Sequence, residues 1–180
     1  MIRIQIVDDE PNVLNSLRRV LRSDQWQLEC CSNPHEALEA LQHDEYAVII
    51  SDYQMPGLDG VTYLRFARQR QPDAVRMVLT GQHDREAMLR AINQAEIHRF
   101  LLKPWDDYEL RTAVQSAAAL YGVRQENRRL LEQVRRQQQS LDAQAQELAR
   151  LEREHPGLVH VLRDEDGAVL IDDEQDRDAE

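Results

Sequence analysis

Short hydrophobic runs that end in acidic, hydroxyl or amine side chains constrain the fold of this chain more than any other feature. Three of these runs end in Asp8-Asp9, Asp52 and Thr80, and a fourth ends in Lys103. Parallel strands bring their carboxyl ends to one edge of a sheet, which is where open α/β folds place their chemistry. If the runs are parallel strands, these five side chains lie along a single edge.

The first two-thirds of the chain alternates between short apolar segments and amphipathic helical patterns. Strands are predicted at residues 3–7, 27–31, 47–51, 76–80 and 99–102. Apolar residues between the strands recur at helical spacing, which is typical of helices that each cover one face of a sheet.

The predicted helices lie within residues 13–21, 37–41, 61–66 and 87–92, and Asp59-Gly60 is a helix-start or turn signal. Strands that alternate with helices in this way form a parallel sheet covered on both faces. The pattern predicts a five-stranded, doubly wound, flavodoxin-like α/β domain over residues 1–120.

A long helical segment follows Lys103-Pro104. Residues 106–154 contain no proline and one glycine, and a heptad pattern begins at Leu120. The seam positions are Leu120, Asn127, Val134, Leu141 and Leu148 at a, and Val123, Leu130, Gln137, Gln144 and Leu151 at d. Seven of these ten residues are apolar, which predicts a coiled-coil helix over residues 121–154, continuous with the last helix of the domain.

The coiled coil needs a partner, because a helix of this length extends beyond what a domain of about 100 residues can cover. We expect a parallel homodimer through residues 120–151. Asn127 at an a position favours pairing with its counterpart in a two-stranded parallel coil, although a frayed helix with a solvated Asn127 is the alternative.

The remaining residues, 155–180, are predicted to form a short hairpin and an acidic tail. His155-Pro156-Gly157 ends the helix, and two apolar runs at 158–162 and 168–171 flank a turn at Asp166-Gly167. The hairpin either pairs with its dimer mate, docks on a partner or is disordered, because an isolated hairpin is marginal in water. Residues 164–180 hold nine acids and one arginine.

The composition argues against several classes of function. The net charge of −11 argues against direct nucleic-acid binding, which depends on neutralising phosphates. No stretch approaches the roughly 20 apolar residues of a membrane span, and the first residues carry acids where a signal peptide would need a long apolar run. The two cysteines, Cys30 and Cys31, are adjacent, which disfavours a structural disulfide or a zinc site. We expect a cytoplasmic protein without a membrane segment.

The strand-end residues form a set suited to phosphoryl chemistry. The Asp8-Asp9 pair and Asp52 offer the hard oxygen ligands that Mg²⁺ prefers. Lys103 adds a positive point charge and Thr80 a hydroxyl, both suited to an oxyanion. A carboxylate in such a site can attack phosphorus, and Asp52 is the expected nucleophile because it stands apart from the acid pair. Singly, each acid is more often an ordinary strand-end residue, but the joint pattern favours a site.

With these motifs, the chain resembles a response regulator of bacterial two-component signalling, with a CheY-like receiver domain over residues 1–120. The motifs that carry this resemblance are Val7-Asp8-Asp9-Glu10, residues 51–60 around Asp52, Thr80-Gly81, and residues 100–104 around Lys103. By resemblance, Asp52 accepts a phosphoryl group from a histidine kinase or phosphotransfer protein.

The resemblance also implies roles for the neighbouring residues. Mg²⁺ would be bound by Asp8, Asp9, Asp52 and the Gln54 backbone carbonyl, while Thr80 and Lys103 would hold the phosphoryl group. Thr80 and Phe100 would form the switch, in which the aromatic residue turns inward when the hydroxyl moves toward the phosphate.

Three functions follow from these patterns. The first is a phosphorylation-dependent regulator that acts on a downstream protein through a coiled-coil dimer and is no enzyme beyond losing its own phosphate. The second is the receiver portion of a longer regulator whose enzymatic or DNA-binding output domain is missing. The third, a phosphatase-type hydrolase, is disfavoured because such enzymes usually carry the nucleophile in a DxD run on the first strand.

Overall fold

The computed structural model describes residues 1–81 and 95–155, and these residues form one five-stranded parallel sheet followed by a long helix. The strands are β1 Ile2–Val7, β2 Trp26–Cys31, β3 Val48–Asp52, β4 Val75–Thr80 and β5 Arg99–Leu102. All neighbouring strands are parallel, and their order is β2-β1-β3-β4-β5. The predicted flavodoxin-like sheet is confirmed.

Four helices accompany the sheet in the described part of the chain: α1 Pro11–Leu21, α2 Pro34–Ala40, α3 Gly60–Arg70 and α4 Asp107–Glu154. Their starts follow local capping rules, since proline opens α1 and α2 and the Asp59 carboxylate accepts the Thr62 N–H at 3.0 Å at the start of α3. The helix predicted within residues 87–92 and the C-terminal hairpin lie outside the described residues.

The helices pack on both faces of the sheet, as a doubly wound domain requires. Helix α1 and the first turns of α4 cover one face, where Leu17 and Val114 pack with strand residues such as Ile6 and Met77. Helices α2 and α3 cover the other face, where alternate strand residues such as Ile49 point. The alternation of side chains along each strand therefore gives the central strands two buried faces.

The first of two compact units runs from Met1 to Arg128, beyond the domain boundary at residue 120 that the sequence suggested. Leu120 is half-buried and packs against the core. One turn later, the Arg124 guanidinium donates to the Asp73 carbonyl at 3.2 Å, and Arg128 forms a 2.8 Å ion pair with the Asp73 carboxylate. These contacts attach this part of α4 to the loop before β4.

The second unit, Arg129–Glu180, contains the rest of α4. The helix ends at Glu154, as the His155-Pro156-Gly157 sequence predicts. Most of its apolar residues are exposed: Leu130, Val134, Leu141 and Leu148 are 46 to 60% exposed, whereas Leu151 is half-buried. Within residues 1–81 and 95–155, no helix has the length and hydropathy needed to cross a bilayer.

Candidate functional site

Four neighbouring strands bring the predicted site residues to one edge of the sheet. Asp8 directly follows β1, Asp52 ends β3, Thr80 ends β4, and Lys103 directly follows β5. The strand register keeps these ends level, because Asp52 lies opposite Leu79 on β4 and Thr80 lies opposite the last residue of β5. The topology therefore produces a single site from segments far apart in sequence.

The Lys103 ammonium lies between two carboxylates. Its Nζ is 2.7 Å from Asp8 Oδ2 and 2.6 Å from Asp52 Oδ1. Lys103 is also the only lysine among the 22 basic residues of the chain. A compact ammonium can be shared by two carboxylates at one point, whereas the planar guanidinium of arginine favours a bidentate pair with one. Two carboxylates around one ammonium leave one negative charge in excess.

Backbone amides orient the second oxygen of each carboxylate. The Glu10 N–H donates to Asp8 Oδ1 at 2.9 Å, and the Gln54 N–H donates to Asp52 Oδ2 at 2.9 Å. Each acid thus has one oxygen on a backbone amide and the other on Lys103. Asp8 is fully buried, whereas the Asp52 side chain is 10% exposed, so Asp52 is the more accessible of the two acids.

The electrostatics of the pair follow from burial and from the shared ammonium. Burial raises the pKa of Asp8 above 3.8, although hydrogen bonds from Lys103 and the Glu10 amide oppose the shift. Burial alone would lower the pKa of Lys103, but its hydrogen bonds to Asp52 and Asp8 outweigh burial and raise that pKa above 10.5. Lys103 therefore stays protonated at neutral pH, whereas ionisation of the buried Asp8 carboxylate costs free energy.

Asp8→Asn is expected to stabilise the domain near neutral pH. Because the folded pKa of Asp8 is raised, its contribution to stability is greatest below the ordinary value of 3.8 and falls as pH rises through the raised value. The neutral amide does not have to be ionised in the buried site, and Lys103 retains its ion pair with Asp52. We therefore expect the free energy of unfolding to increase by about 1 kcal/mol at about pH 7.

Urea unfolding at several pH values measures this effect. The exposed loop residue Asp24 gives the matched control, and Asp24→Asn is expected to leave the pH profile unchanged. A loss of stability in Asp8→Asn at neutral pH would instead show that the Asp8–Lys103 attraction exceeds the cost of burying the carboxylate.

A close backbone approach fixes the loop between β3 and α3. The Tyr53 N–H donates to the Leu79 carbonyl at 2.8 Å, and the Gly60 N–H donates back to the Tyr53 carbonyl at 3.0 Å. A Cβ on Gly60 would lie 1.8 Å from the Asp52 carbonyl oxygen, which is far inside any van der Waals contact. Only glycine fits beside Asp52. In the sequence, Asp59-Gly60 indicated no more than a helix start.

The remaining predicted residues take different places around this centre. Thr80 is 2% exposed, and its hydroxyl donates to the Gly81 carbonyl at 3.2 Å. Phe100 is half-buried and packs against the core on the α2–α3 face of the sheet. Asp9 is exposed beside Asp8. Among residues 1–81 and 95–155, no three histidine, cysteine or acidic side chains converge as a metal site, so Asp9 is not gathered with Asp8 and Asp52.

Comparison with known proteins gives consistent matches over the same part of the chain. The family model for the response regulator receiver domain matches residues 4–115. The hydrogenase transcriptional regulatory protein HoxA of Bradyrhizobium diazoefficiens is 35% identical over 123 residues, which are 68% of this chain and 25% of that protein. The DNA-binding transcriptional regulator NtrC of Escherichia coli is 31% identical over 125 residues, 69% of this chain and 26% of that protein.

A solved structure agrees with these relatives. The signal receiver domain of an HD domain-containing protein from Pseudomonas fluorescens matches with a TM-score of 0.65 and 34% identity, covering 68% of this chain and 98% of that one. The chain spans about a quarter of the length of these two curated relatives. Together with the site at the strand ends, the family match over residues 4–115 shows that the chain belongs to the response regulator receiver domain family.

Proposed function

We propose that the chain is a phosphorylation-dependent two-component response regulator in which Asp52 accepts the phosphoryl group. The observation that carries this proposal is the arrangement of Asp52 at the strand edge, with Oδ1 on Lys103 and Oδ2 on the Gln54 amide. Asp8 is buried and forms an ion pair with the same ammonium. A partly accessible, oriented carboxylate beside a fixed cation is suited to attack phosphorus.

The donor is a phosphohistidine on a histidine kinase or phosphotransfer protein. In the transfer step, an oxygen of Asp52 forms a bond to phosphorus while the bond from phosphorus to the imidazole nitrogen breaks. That nitrogen keeps the electron pair and takes up a proton from solvent. Lys103 already lies 2.6 Å from Asp52 and would pair with the phosphoryl oxygens, where positive charge stabilises the transition state.

The donor set at this edge fits Mg²⁺. Two carboxylates meet at one ammonium with one negative charge in excess, and their hard oxygens are the ligands this ion prefers. Asp8, Asp9, Asp52 and the Gln54 carbonyl would hold the ion, with Asp9 joining from its exposed position. The chemistry that bound Mg²⁺ supplies is neutralisation of charge on the transferring phosphoryl oxygens.

Thr80 and Phe100 are proposed to transmit the phosphorylated state. Thr80 is buried at the end of the strand next to β3, and within the described residues its hydroxyl forms one long hydrogen bond, to the Gly81 carbonyl. Turning this hydroxyl toward a phosphoryl oxygen therefore breaks one long, weak hydrogen bond. Phe100 lies opposite Val78 on the adjacent strand and is half-buried, so it has room to repack when β4 shifts.

Acetyl phosphate, a small-molecule phosphoryl donor, tests this proposal on the wild-type chain. With Mg²⁺ present, intact mass spectrometry is expected to show one phosphoryl group per chain, and excess EDTA is expected to suppress the product by at least about 100-fold. Unchanged labelling in EDTA contradicts the magnesium role, and repeated turnover of the donor by an unlabelled protein favours a hydrolase. We assign the chain no catalytic step except hydrolysis of its own acyl phosphate.

The output is proposed to run through a parallel homodimer over residues 120–151 that contacts a downstream protein. In this coil the apolar seam residues from Leu130 to Leu148 are exposed in the single chain, as expected of a face that a second helix covers, and Leu151 is half-buried. Leu120 differs, since it packs against the receiver core, and Gln137 and Gln144 make the middle of the seam weak.

Changes in the seam are expected to separate the dimer. The double variant Leu141→Glu, Leu148→Glu places charge in the interface and is expected to lower the dimer affinity by at least about 100-fold. The charge-matched control, Gln139→Glu with Gln146→Glu, changes outward f positions and is expected to leave the dimer intact. Sedimentation equilibrium measures both, and equal masses for the two double variants contradict the proposed seam.

The orientation of the two helices has its own test. Residue Gln144 meets its own counterpart only when the helices are parallel and in register, so Gln144→Cys is expected to form an intermolecular disulfide under mild oxidation. A chain that dimerises without forming this disulfide has an antiparallel or staggered coil.

A second candidate function is the receiver portion of a longer regulator with an enzymatic or DNA-binding output domain. It is favoured by one observation: HoxA and NtrC, the two curated relatives described above, are named as transcriptional regulators and are about four times the length matched. The coding sequence beyond residue 180 distinguishes the two candidates. For either one we propose a cytoplasmic location, in keeping with the free thiols of Cys30 and Cys31, and no direct nucleic-acid contact by the receiver.

A further inference from the structure

A cleft of about 510 Å³ lies between α1 and β2, away from the strand edge that carries Asp52. Its apolar floor is formed by Trp26 and Leu28, which lie on the same side of β2. The Trp26 indole N–H donates to the Leu21 carbonyl at 2.5 Å, so the floor offers hydrocarbon rather than a free donor. The cleft therefore has an apolar floor beneath a lining of mostly polar residues.

Three arginines form the wall of this cleft. Arg18 and Arg19 project from the last turn of α1, Arg22 directly follows that helix, and all three are exposed. Within residues 1–81 and 95–155, none of them forms an ion pair with an acidic side chain. Asp24 is the acid in the adjoining loop. Arg18 does interact with the thiol of Cys30 on β2. In a chain of net charge −11, three guanidinium groups without an acidic partner among the described residues are a local reversal of sign.

The cleft also borders an open edge of the sheet. Among the five described strands, β2 is the outermost and pairs only with β1, so no described strand lies along the other edge of its backbone. An unpaired edge next to side-chain pockets is the arrangement that binds extended peptides by strand addition. The edge, the apolar floor and the arginine wall occur together at this place.

We infer that this cleft is a docking site for an extended, acidic segment of a partner protein. The segment adds to the edge of β2, places an apolar side chain over Trp26 and Leu28, and directs carboxylates to Arg18, Arg19 and Arg22. Side chains of a strand alternate between its faces, so the acidic and apolar residues of the segment occur at alternate positions on one face. Bidentate guanidinium–carboxylate pairs give the site its preference for acids.

The simplest competing account is that the arginines only complement the carboxyl end of α1. That account explains cations in the last turn of a helix, and it applies to Arg18 and Arg19. It does not explain why the same side chains line an apolar cleft beside an open strand edge. The two accounts differ in whether the site distinguishes the order of residues in a peptide.

The probe is a nine-residue peptide with glutamate at positions 1, 5 and 9, valine at 3 and 7, and threonine between. A scrambled peptide of equal composition, with acids and valines on opposite faces, controls for charge alone. Amide and indole NMR signals of the full-length protein report the position of binding. We expect shifts at the Trp26 indole and along β2, and at least about tenfold weaker binding of the scrambled peptide.

Charge reversal provides the matched variants. Arg18→Glu, Arg19→Glu and Arg22→Glu together are expected to reduce the affinity for the probe by at least about tenfold. The control carries the same charge change at three other exposed arginines, Arg65, Arg70 and Arg111. Urea unfolding of both triple variants separates a loss of binding from a loss of fold.

Four outcomes of the binding experiments overturn the inference, and a fifth concerns self-association. The four are equal binding of the ordered and scrambled peptides, equal loss of affinity in both triple variants, shifts confined to residues away from β2, and tighter binding of a single-stranded oligonucleotide than of the probe. A concentration-dependent dimer that the first triple variant alone abolishes also overturns it, since the occupant is then a second copy of this chain. Acetyl phosphate labelling at Asp52 is expected to be the same in both triple variants.

Discussion

Asp52→Asn is expected to abolish stoichiometric incorporation of phosphate from acetyl phosphate, a loss of at least about 1000-fold in rate. The amide has the shape of the carboxylate and retains an oxygen for the Gln54 N–H, which donates to Asp52 at 2.9 Å. It lacks the anionic oxygen that attacks phosphorus. The fold is therefore preserved while the acceptor is removed, and intact mass spectrometry measures the result.

The matched control for this loss is Asp24→Asn, which makes the same chemical change at an exposed loop residue. It is expected to label as the wild type does. Undiminished, Mg²⁺-dependent labelling of Asp52→Asn would mean that another carboxylate accepts the phosphoryl group. Asp9 would then be the first residue to examine, since it is exposed beside the buried Asp8.

Gly60→Ala is expected to destabilise the domain by roughly 3 kcal/mol or more, one of the largest effects of any single methyl group in this chain. The added Cβ would lie 1.8 Å from the Asp52 carbonyl oxygen and 2.9 Å from the Ser51 hydroxyl oxygen. A backbone atom at such a distance must move, and the atom here belongs to the residue that bears the nucleophile. We therefore expect labelling of Asp52 to fall together with stability.

Gly122 is the control for the glycine substitution. It lies inside α4, and a Cβ there meets no atom within 4 Å. Alanine favours helix over glycine, so Gly122→Ala is expected to stabilise by up to about 1 kcal/mol. Thermal and urea unfolding compare the two variants. If Gly60→Ala unfolds like the wild type, the close approach of α3 to Asp52 does not hold the loop in place.

Much of this architecture follows from local sequence patterns. The apolar runs with polar ends gave the five strands within about one residue, and the last strand, Arg99–Leu102, matches its predicted bounds. Parallel topology then brings Asp8, Asp52 and Lys103 together, because the carboxyl ends of parallel strands lie at the same edge of the sheet. The long helix is likewise readable from its composition and from the proline after His155.

Contacts between distant segments were not readable from the sequence. The ion pair between Asp73 and Arg128 and the approach of Gly60 to Asp52 depend on how loops fold back over the sheet. The contact made by Leu120 was also not readable from the sequence. Its heptad position predicts a coiled-coil contact, but in the structure it packs against the receiver core. A periodic pattern reports that a face is apolar, and tertiary structure decides what covers it.

Borohydride reduction of the labelled wild-type protein tests the central claim most directly. Reduction converts the acyl phosphate of an aspartate into the corresponding alcohol, and peptide mass spectrometry locates the changed residue. The arrangement of Asp52 on Lys103, with Asp8 buried behind the same ammonium, predicts a single change at Asp52. A change at Asp8 or Asp9, or labelled protein without any reduced aspartate, would contradict the account.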